Sequence, residues 1–305
     1  MNGSGSKVGR SMEIVRLASE MSREFYSAPP LVAYSGGKDS DALVELFLES
    51  GVEFEVEHSV TTVDAPQTMA HIRRRFSRLK ALGIRCEMLR PTYKGEPTSM
   101  WKLIPEKLMP PTRLVRYCCS VLKERSTPNR LVALGVRGGE SRQRGMRKVF
   151  ELRGKTAKDA RGWDFEHAGE VYDDSHQLPD ELNCTLIVSM RQKDSSYVNP
   201  ILDWSSADVF GYLAERGVEL NPLYKMGYSR VGCVMCPFAG KVARQREAAD
   251  FPQYRRAYVA AFDRMIRERR RRGKKVTWAT GEEVMHWWLD DGVIPNQMQI
   301  RFEEE

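Results

Sequence analysis

Between residues 30 and 150, short apolar runs alternate with stretches whose apolar positions recur at helical spacing. Leu31-Val32-Ala33-Tyr34 stops abruptly at Ser35-Gly36-Gly37, the pattern of a buried strand entering a tight turn. From Asp39, the residues Ala42, Leu43, Leu46 and Phe47 share one helical face, and Ser50-Gly51 closes that helix. Residues 52–63 alternate well enough for a second strand, and Pro66 opens a helix to about Leu82. Residues 84–89 and 131–136 read as the third and fourth strands, and 184–189 as the fifth. Strands separated by helices predict an α/β fold, a Rossmann-like, five-stranded, mostly parallel sheet with helices on both faces and a helical C-terminal part.

The periodicity fails between residues 150 and 182, where Arg153-Gly154, Gly162-Trp163, Gly169 and Asp173-Asp174 mark a polar, irregular insertion over the site or a partner surface. Helices return at 205–215, with Ser205 or Ser206 as cap, at 254–272, and at 280–289 behind the capping-box pattern Thr280-Gly281-Glu282-Glu283. The expected organisation is an N-terminal tail or helix over 1–25, a main domain over 26–215, and a cysteine-bearing, helical region over 216–305. Met1 to Ser6 lacks an apolar signal core, and no run approaches the length of a membrane span. The expectation is a cytoplasmic protein with no membrane partner.

Composition narrows this further. With 305 residues and 41% hydrophobic content, the chain can bury a core, which excludes disordered, collagen-like and coiled-coil classes. The net charge of +7 is concentrated rather than spread. From Arg264 to Lys275, the cations Arg264, Arg267, Arg269, Arg270, Arg271, Arg272, Lys274 and Lys275 face one acid, Glu268, so the remainder is formally neutral. Either this is the solvated end of a long helix, its cations offsetting the dipole, or it contacts a phosphate backbone.

Ser35-Gly36-Gly37-Lys38-Asp39-Ser40 lies between a predicted strand and a predicted helix. Two glycines let the backbone approach phosphate oxygens, the helix points its positive end at the same place, and Lys38, Ser35 and Ser40 add donors. The spacing is neither that of the dinucleotide fingerprint nor that of the P-loop. The hexamer resembles the pyrophosphate loop of the ATP pyrophosphatases, specifically the branch similar to phosphoadenosine-phosphosulfate (PAPS) reductase. Gly135-Val136-Arg137-Gly138-Gly139-Glu140-Ser141, with Arg144 behind it, resembles the GxRxxES element of that family, and Asn199-Pro200-Ile201-Leu202-Asp203-Trp204 its NPxxDW segment. The resemblance implies an adenine nucleotide, ATP with Mg²⁺, held by Ser35, Gly36, Gly37, Lys38, Asp39, Ser40, Arg137, Glu140, Ser141 and Arg144. Arginine forks suit phosphate or sulfate oxygens, with Glu140 orienting them. Asp203 and Trp204 read chiefly as a helix entry and a core anchor.

Six cysteines without a signal peptide suggest reduced thiols rather than a disulfide framework. Four occur as pairs, Cys118-Cys119 and Cys233-Val234-Met235-Cys236. Four thiolates suit a [4Fe–4S] cluster or tetrahedral zinc, and reduced structural or redox cysteines are the third reading. The set resembles the CC…CxxC ligands of iron–sulfur sulfonucleotide reductases and of DNA-phosphorothioation proteins, which implies the cluster. Lys123, four residues past Cys119, either links the cluster to a bound anion or is simply exposed. Cys86 and Cys184 read as small buried hydrophobes. Asp64, before Ala65-Pro66, either positions Mg²⁺ or a substrate group or forms a turn. Trp287-Trp288 reads as core. The family's classical reductases carry a further, C-terminal nucleophilic cysteine, and no cysteine follows Cys236 in this sequence, which weakens that activity.

Three functions are compatible with these features. The first is an ATP pyrophosphatase in which Lys38, Asp39, Asp64 and Arg137 serve adenylation of a substrate oxygen. It would support sulfur incorporation into nucleic acid, DNA ahead of tRNA, reached through the stretch from Arg264 to Lys275. A sulfur-donor protein such as a cysteine desulfurase is the implied partner. The second is a reductase of APS or PAPS using an external thiol, and the third a nucleotide- or nucleic-acid-binding partner protein with little turnover.

Overall fold

The computed structural model describes residues 4–123, 129–152, 161–163 and 196–290. The chain divides into two compact units, one of Met1–His58, Pro66–Leu89 and Ser126–Val231, the other of Ser59–Ala65, Arg90–Arg125 and Gly232–Glu305.

In the first unit the apolar run Leu31–Ala33 is β1, paired in parallel with β2 (Glu55–Ser59) on one side and β6 (Leu131–Leu134) on the other, so that Val32 sits opposite Val56 and Ala133. β3 (Arg85–Leu89) lies beyond β2, and β9 (Ser196–Val198) pairs in parallel with β6. The polar insertion adds β7 (Phe150–Leu152) and β8 (Arg161–Trp163) as an antiparallel edge beyond β9. The α/β expectation stands; among the described residues the sheet has seven strands where five were expected, in the order β3-β2-β1-β6-β9-β7-β8. The strand expected over 184–189 lies outside the described residues; the one beside β6 is Ser196–Val198. The second strand ends sooner than its alternation suggested, because the Thr61 N–H pairs with the Asp64 carboxylate rather than with a neighbouring strand.

Gly37 caps α2 (Lys38–Ser50), which ends at Gly51 in the left-handed conformation, φ 66°. α2 buries Ala42, Leu43, Leu46 and Phe47, the face its periodicity marked. The N-terminal stretch expected as a tail or helix is helical from Ser4: α1 (Ser4–Tyr26) packs on α2 through Ile14, Val15 and Ala18. Its Ser11 Oγ accepts from Trp204 Nε1 at 3.0 Å and donates to the Pro200 carbonyl at 2.7 Å, which makes Trp204 the core anchor anticipated. The helix over Ser206–Glu215 starts at Ser205, whose hydroxyl accepts from the Asp208 N–H while Asp208 accepts from the Ser205 N–H, a complete capping box.

The second unit packs three helices around aromatic rings, with a small antiparallel hairpin of β4 (Thr92–Tyr93) and β5 (Glu96–Pro97). The helix Met100–Lys107 and the long helix Pro252–Arg271 bury Leu103, Ile104, Tyr258, Phe262, Met265 and Ile266. The helix Gly281–Leu289 adds Val284, Met285 and Trp288, whose Nε1 donates to the Pro111 carbonyl at 2.7 Å. Trp288 is therefore core, whereas Trp287 is half-buried against Trp278. No helix among the described residues is long and apolar enough to cross a membrane.

In the first unit two glycines are demanded by the packing. Gly36 has φ +73°, and a Cβ there would meet Ile72 Cγ1 at 2.8 Å. At Gly135, the residue after β6, a Cβ would lie 2.9 Å from the backbone oxygen of Asp39. Gly135→Ala should therefore destabilise the fold by about 1–3 kcal/mol and displace the first turn of α2. Gly139→Ala, with nothing within 4 Å, should leave the denaturant midpoint unchanged; equal midpoints for the two variants would refute the close approach.

Candidate functional site

In the first unit the chain runs outward from β1 to β2 and β3, then returns to place β6 on the other side of β1. The strand order thus reverses between β1 and β6, and open parallel sheets bind ligands in the crevice at the carboxyl ends of strands flanking such a reversal. Both loops singled out from the sequence leave the sheet there, Ser35–Ser40 after β1 and Gly135–Arg144 after β6.

The first loop is held from several directions. Buried Asn221 donates from Nδ2 to the Gly36 carbonyl at 2.8 Å and to Thr68 Oγ1 at 3.2 Å. Ser40 Oγ donates to the Gly37 carbonyl at 2.8 Å, and Ser35 Oγ lies 3.2 Å from it. The cap, Gly37, offers no side-chain acceptor to the first-turn N–H groups. The Lys38 N–H donates to Tyr224 Oη at 3.0 Å, and burial pushes that phenol up to about 12. First-turn N–H groups and the helix dipole favour an anion at this point.

Charge at the loop is concentrated and internally braced. Asp39 accepts from Lys38 Nζ at 2.8 Å through one oxygen and from Arg137 Nε at 2.6 Å through the other. Both cations are nearly inaccessible, at 4% and 8% exposure, so Asp39 offsets what would otherwise be two unpaired buried charges. Lys38 also lies over the Phe210 ring, 5.7 Å from its centroid. Glu140 spans Arg137, at 3.7 Å, and Arg144. Partial burial lowers the Arg144 pKa, as do the neighbouring charges of Arg230, Arg147 and Arg137, of which Arg147 is itself paired with Glu151. Ser141 is the cap of the short helix Arg142–Gly145, accepting from the Arg144 N–H at 3.2 Å.

Behind the loop, fully buried Asp41 accepts from Tyr34 Oη at 2.6 Å and lies 3.2 Å from His71 Nε2. Sequence patterns do not reveal this network, nor the parts played by Asn221, Tyr224, Arg147 and Arg230. Asn221-Pro222 carried a legible signal of one kind, since Asn at a cap and Pro at the first helical position start a helix. The others are single polar residues whose roles depend on tertiary placement.

In the second unit Cys118 and Cys119 begin the helix Tyr117–Leu122, and Cys233 and Cys236 flank a turn with Met235 at φ 57°. All four are free and half-buried. The thiol hydrogen bond with Cys118 holds Cys119 low, at about 6, with help from Arg116 and Lys123, while burial pushes Cys233 up. Lys123 is solvent-accessible, and its ammonium is favoured by Cys233 and by Asp64. Asp64 forms a β-bridge with Cys233, accepts the Thr61 N–H at 2.8 Å through its carboxylate, and accepts Tyr254 Oη at 2.6 Å through its carbonyl. Its carboxylate thus closes a turn, one of the two roles read for it from the sequence.

Among the described residues no group of three or more His, Cys, Asp or Glu side chains is arranged to hold a metal ion. The four thiols nonetheless share one electrostatic neighbourhood with Arg116 and Lys123 beside them. An all-sulfur donor set with cationic compensation fits an iron–sulfur cluster in kind. Mg²⁺ takes only one or two carboxylates along with phosphate oxygens; at the loop that carboxylate is Asp39, already shared by two cations. Cys86 is buried in the core, as read, and Cys184 lies outside the described residues.

Charge-assisted hydrogen bonds are worth about 1.5–3 kcal/mol. Arg137→Gln should accordingly weaken ATP binding by roughly tenfold to a hundredfold in calorimetry, and an unchanged affinity would remove Arg137 from the site.

The Phosphoadenosine phosphosulfate reductase domain matches residues 29–239, which takes in the glycine loop, the arginine loop and all four paired cysteines. An uncharacterized 37.8 kDa protein of Escherichia phage 186 is 40% identical over 74 residues, 24% of this chain and 22% of that protein. An uncharacterized protein of Methanocaldococcus jannaschii is 24% identical over 269 residues, 84% of this chain and 51% of that protein. The chain thus spans at most about half the length of either relative. Among solved structures, the PAPS reductase of Candida auris in its phosphate complex is similar at 15% identity and TM-score 0.41, covering 73% of this chain and 87% of that one. By the extent of the family match, more than two-thirds of its residues, the chain belongs to the phosphoadenosine phosphosulfate reductase domain family.

Proposed function

We propose that the protein is an ATP pyrophosphatase that adenylates an oxygen of a nucleic-acid substrate, DNA ahead of tRNA, and so prepares that position for sulfur. The observation that carries this reading is the cationic crevice where the strand order reverses. The α2 N-terminus, Lys38 and Arg137 meet there, braced by Asp39, with Arg144 held to the same loop through Glu140.

In this reading the loop from Gly36 to Ser40 receives the β- and γ-phosphates. A substrate oxygen attacks the α-phosphorus; the new O–P bond forms as the bond to pyrophosphate breaks, and the leaving group takes the electron pair. Negative charge grows on the departing pyrophosphate, and preorganised donors aimed at it need no reorganisation during the step. Lys38 and Arg137 are the buried donors suited to this work. Asp39 fixes both without being consumed, which makes it a positioning residue. The adenylated oxygen then departs with AMP when the outer sulfur of a persulfide on a donor protein such as a cysteine desulfurase attacks the activated centre, and a thiol reductant supplies the two electrons that cleave the remaining S–S bond to the donor.

Cys118, Cys119, Cys233 and Cys236 would hold a [4Fe–4S] cluster, which when bound supplies an iron–sulfide centre able to hold or relay sulfur or electrons. Arg116 and Lys123 offset the thiolate charge beside it. Of the division expected from the sequence, 26–215 and 216–305, the proposal keeps a nucleotide-binding part and a CxxC-bearing part, with the first running to Val231 and Cys118-Cys119 assigned to the second.

Anaerobically prepared protein given Mg²⁺ and ATP should release AMP and pyrophosphate in equal amounts, faster with DNA than without. No pyrophosphate, but sulfite from PAPS or APS with an added thiol, would replace this reading with sulfonucleotide reduction. Tight ATP binding without turnover would replace it with a binding protein. Cys233→Ser should lose iron and the brown visible absorption; an iron content equal to the parent's would refute that ligand.

A further inference from the structure

The basic run from Arg264 to Lys275 does not act as one surface. Arg269 is occupied by the fold, donating to the Leu108 carbonyl at 2.6 Å and twice to the Lys275 carbonyl, at 3.0 and 2.6 Å. Arg270 reaches the Ala279 carbonyl at 3.5 Å. Arg271 and Arg272 both hold Glu268, at 2.6 and 2.5 Å. Much of the run therefore ties down the end of its own helix and the segment after it.

A different set of charges faces a groove of ≈ 510 Å³ between the helices Met100–Lys107 and Pro252–Arg271. Lys102, Pro105 and Glu106 line it from one helix, and Arg264, Arg267, Glu268, Arg271 and Arg272 from the other. Positions 264, 267, 268 and 271 share one helical face, and over those residues the helix rises roughly 10 Å. Both carboxylates are already matched: Glu268 by Arg271 and Arg272, Glu106 by Lys94 at 2.9 Å. Arg264 donates to the Trp101 carbonyl at 3.1 Å and Lys102 to the Pro97 carbonyl at 3.0 Å, contacts that place their heads without neutralising them. Arg267 is exposed and enters no hydrogen bond or ion pair among the described residues.

We propose that this groove binds the phosphodiester backbone of duplex DNA, a placement that rests on the nucleic-acid reading of the function above. Charge and repeat both point to a polymer. A single phosphate cannot engage cations strung along roughly 10 Å of helix, whereas a strand carrying a charge about every 3.4 Å along its axis matches them in series. Lys102, more than 160 residues away from the basic run in sequence, belongs to the contact; Lys274 and Lys275, inside the run, do not line it.

The test is fluorescence anisotropy on a 20-base-pair duplex between 50 and 200 mM salt, with the Lys102→Gln/Arg267→Gln protein set against Lys274→Gln/Lys275→Gln and the parent. Each phosphate contact contributes about 0.9 to the salt slope, so loss of two should shrink the fall in affinity across that range by about twelvefold. The other pair should track the parent. No change for Lys102→Gln/Arg267→Gln, or equal changes for both pairs, would overturn the groove. Loss of binding only to a tRNA transcript, or only to polyglutamate, would overturn duplex DNA as its occupant. Pyrophosphate release without DNA, measured on the same proteins, separates the two readings. A parent that releases none yet shows the predicted salt response keeps the groove and sinks the enzyme; the reverse result sinks the groove alone.

Discussion

The approach of β6 to the first turn of α2 is the constraint on which the nucleotide site depends. β1 and β6 are neighbours in a parallel sheet, so their carboxyl ends open on the same edge, and the loops leaving the two strands must share the space above it. Gly135 makes this possible: only a residue without Cβ lets the β6 end pass within van der Waals reach of the Asp39 and Ser40 backbone. Once that contact forms, Arg137, two residues on, lies within 2.6 Å of Asp39, and the arginine loop is tied to the glycine loop. Gly36 works the same way from below, turning the chain over Ile72 in a conformation that other residues resist.

A site gathering Lys38, Arg137 and Arg144 must still hold together before any anion arrives. Its internal acids supply the means. Asp39 shares itself between Lys38 and Arg137, and Glu140 between Arg137 and Arg144. Two carboxylates leave a net positive crevice, so the cations are braced while their field still favours phosphate. Desolvation strengthens this preference, because buried cations lose water whose place an incoming phosphate can take. Asp41, sealed beneath the loop with Tyr34 and His71, anchors the first turn of α2 from the core side.

The second unit shows the same economy with sulfur. Asp64, a residue whose type suggested metal chemistry, closes a turn that bridges to Cys233, so it shapes the thiol site through the backbone. Arg116 stacks over Phe238, 4.5 Å from the ring centroid, while helping to hold the Cys119 thiol low. A single side chain thereby joins the vicinal pair to the segment beyond the CxxC turn.

The sequence by itself determined the α/β class, the strand before Ser35, the helices over α2 and the C-terminal segment, and the positions of the glycine loop, the arginine loop and the paired cysteines. Each of these is written locally: period 2 against 3.6, glycines at a turn, cysteines at ligand spacing. Only the tertiary structure decided the rest. Among the described residues the sheet has seven strands, because pairing partners, not propensity, admit Phe150–Leu152, Arg161–Trp163 and Ser196–Val198 to it. Helix α1 was illegible in its opening Gly-Ser-rich residues because packing on α2 stabilises it. Asn221, Tyr224 and Arg230 carry no signature of their place at the site, since each matters through a neighbour far away in the chain. The basic run looked uniform, yet folding spent some of its cations on carbonyls and left others facing Lys102. Charge can be counted along a sequence, but which charges stay free for a partner is settled by the hydrogen bonds the fold has already made.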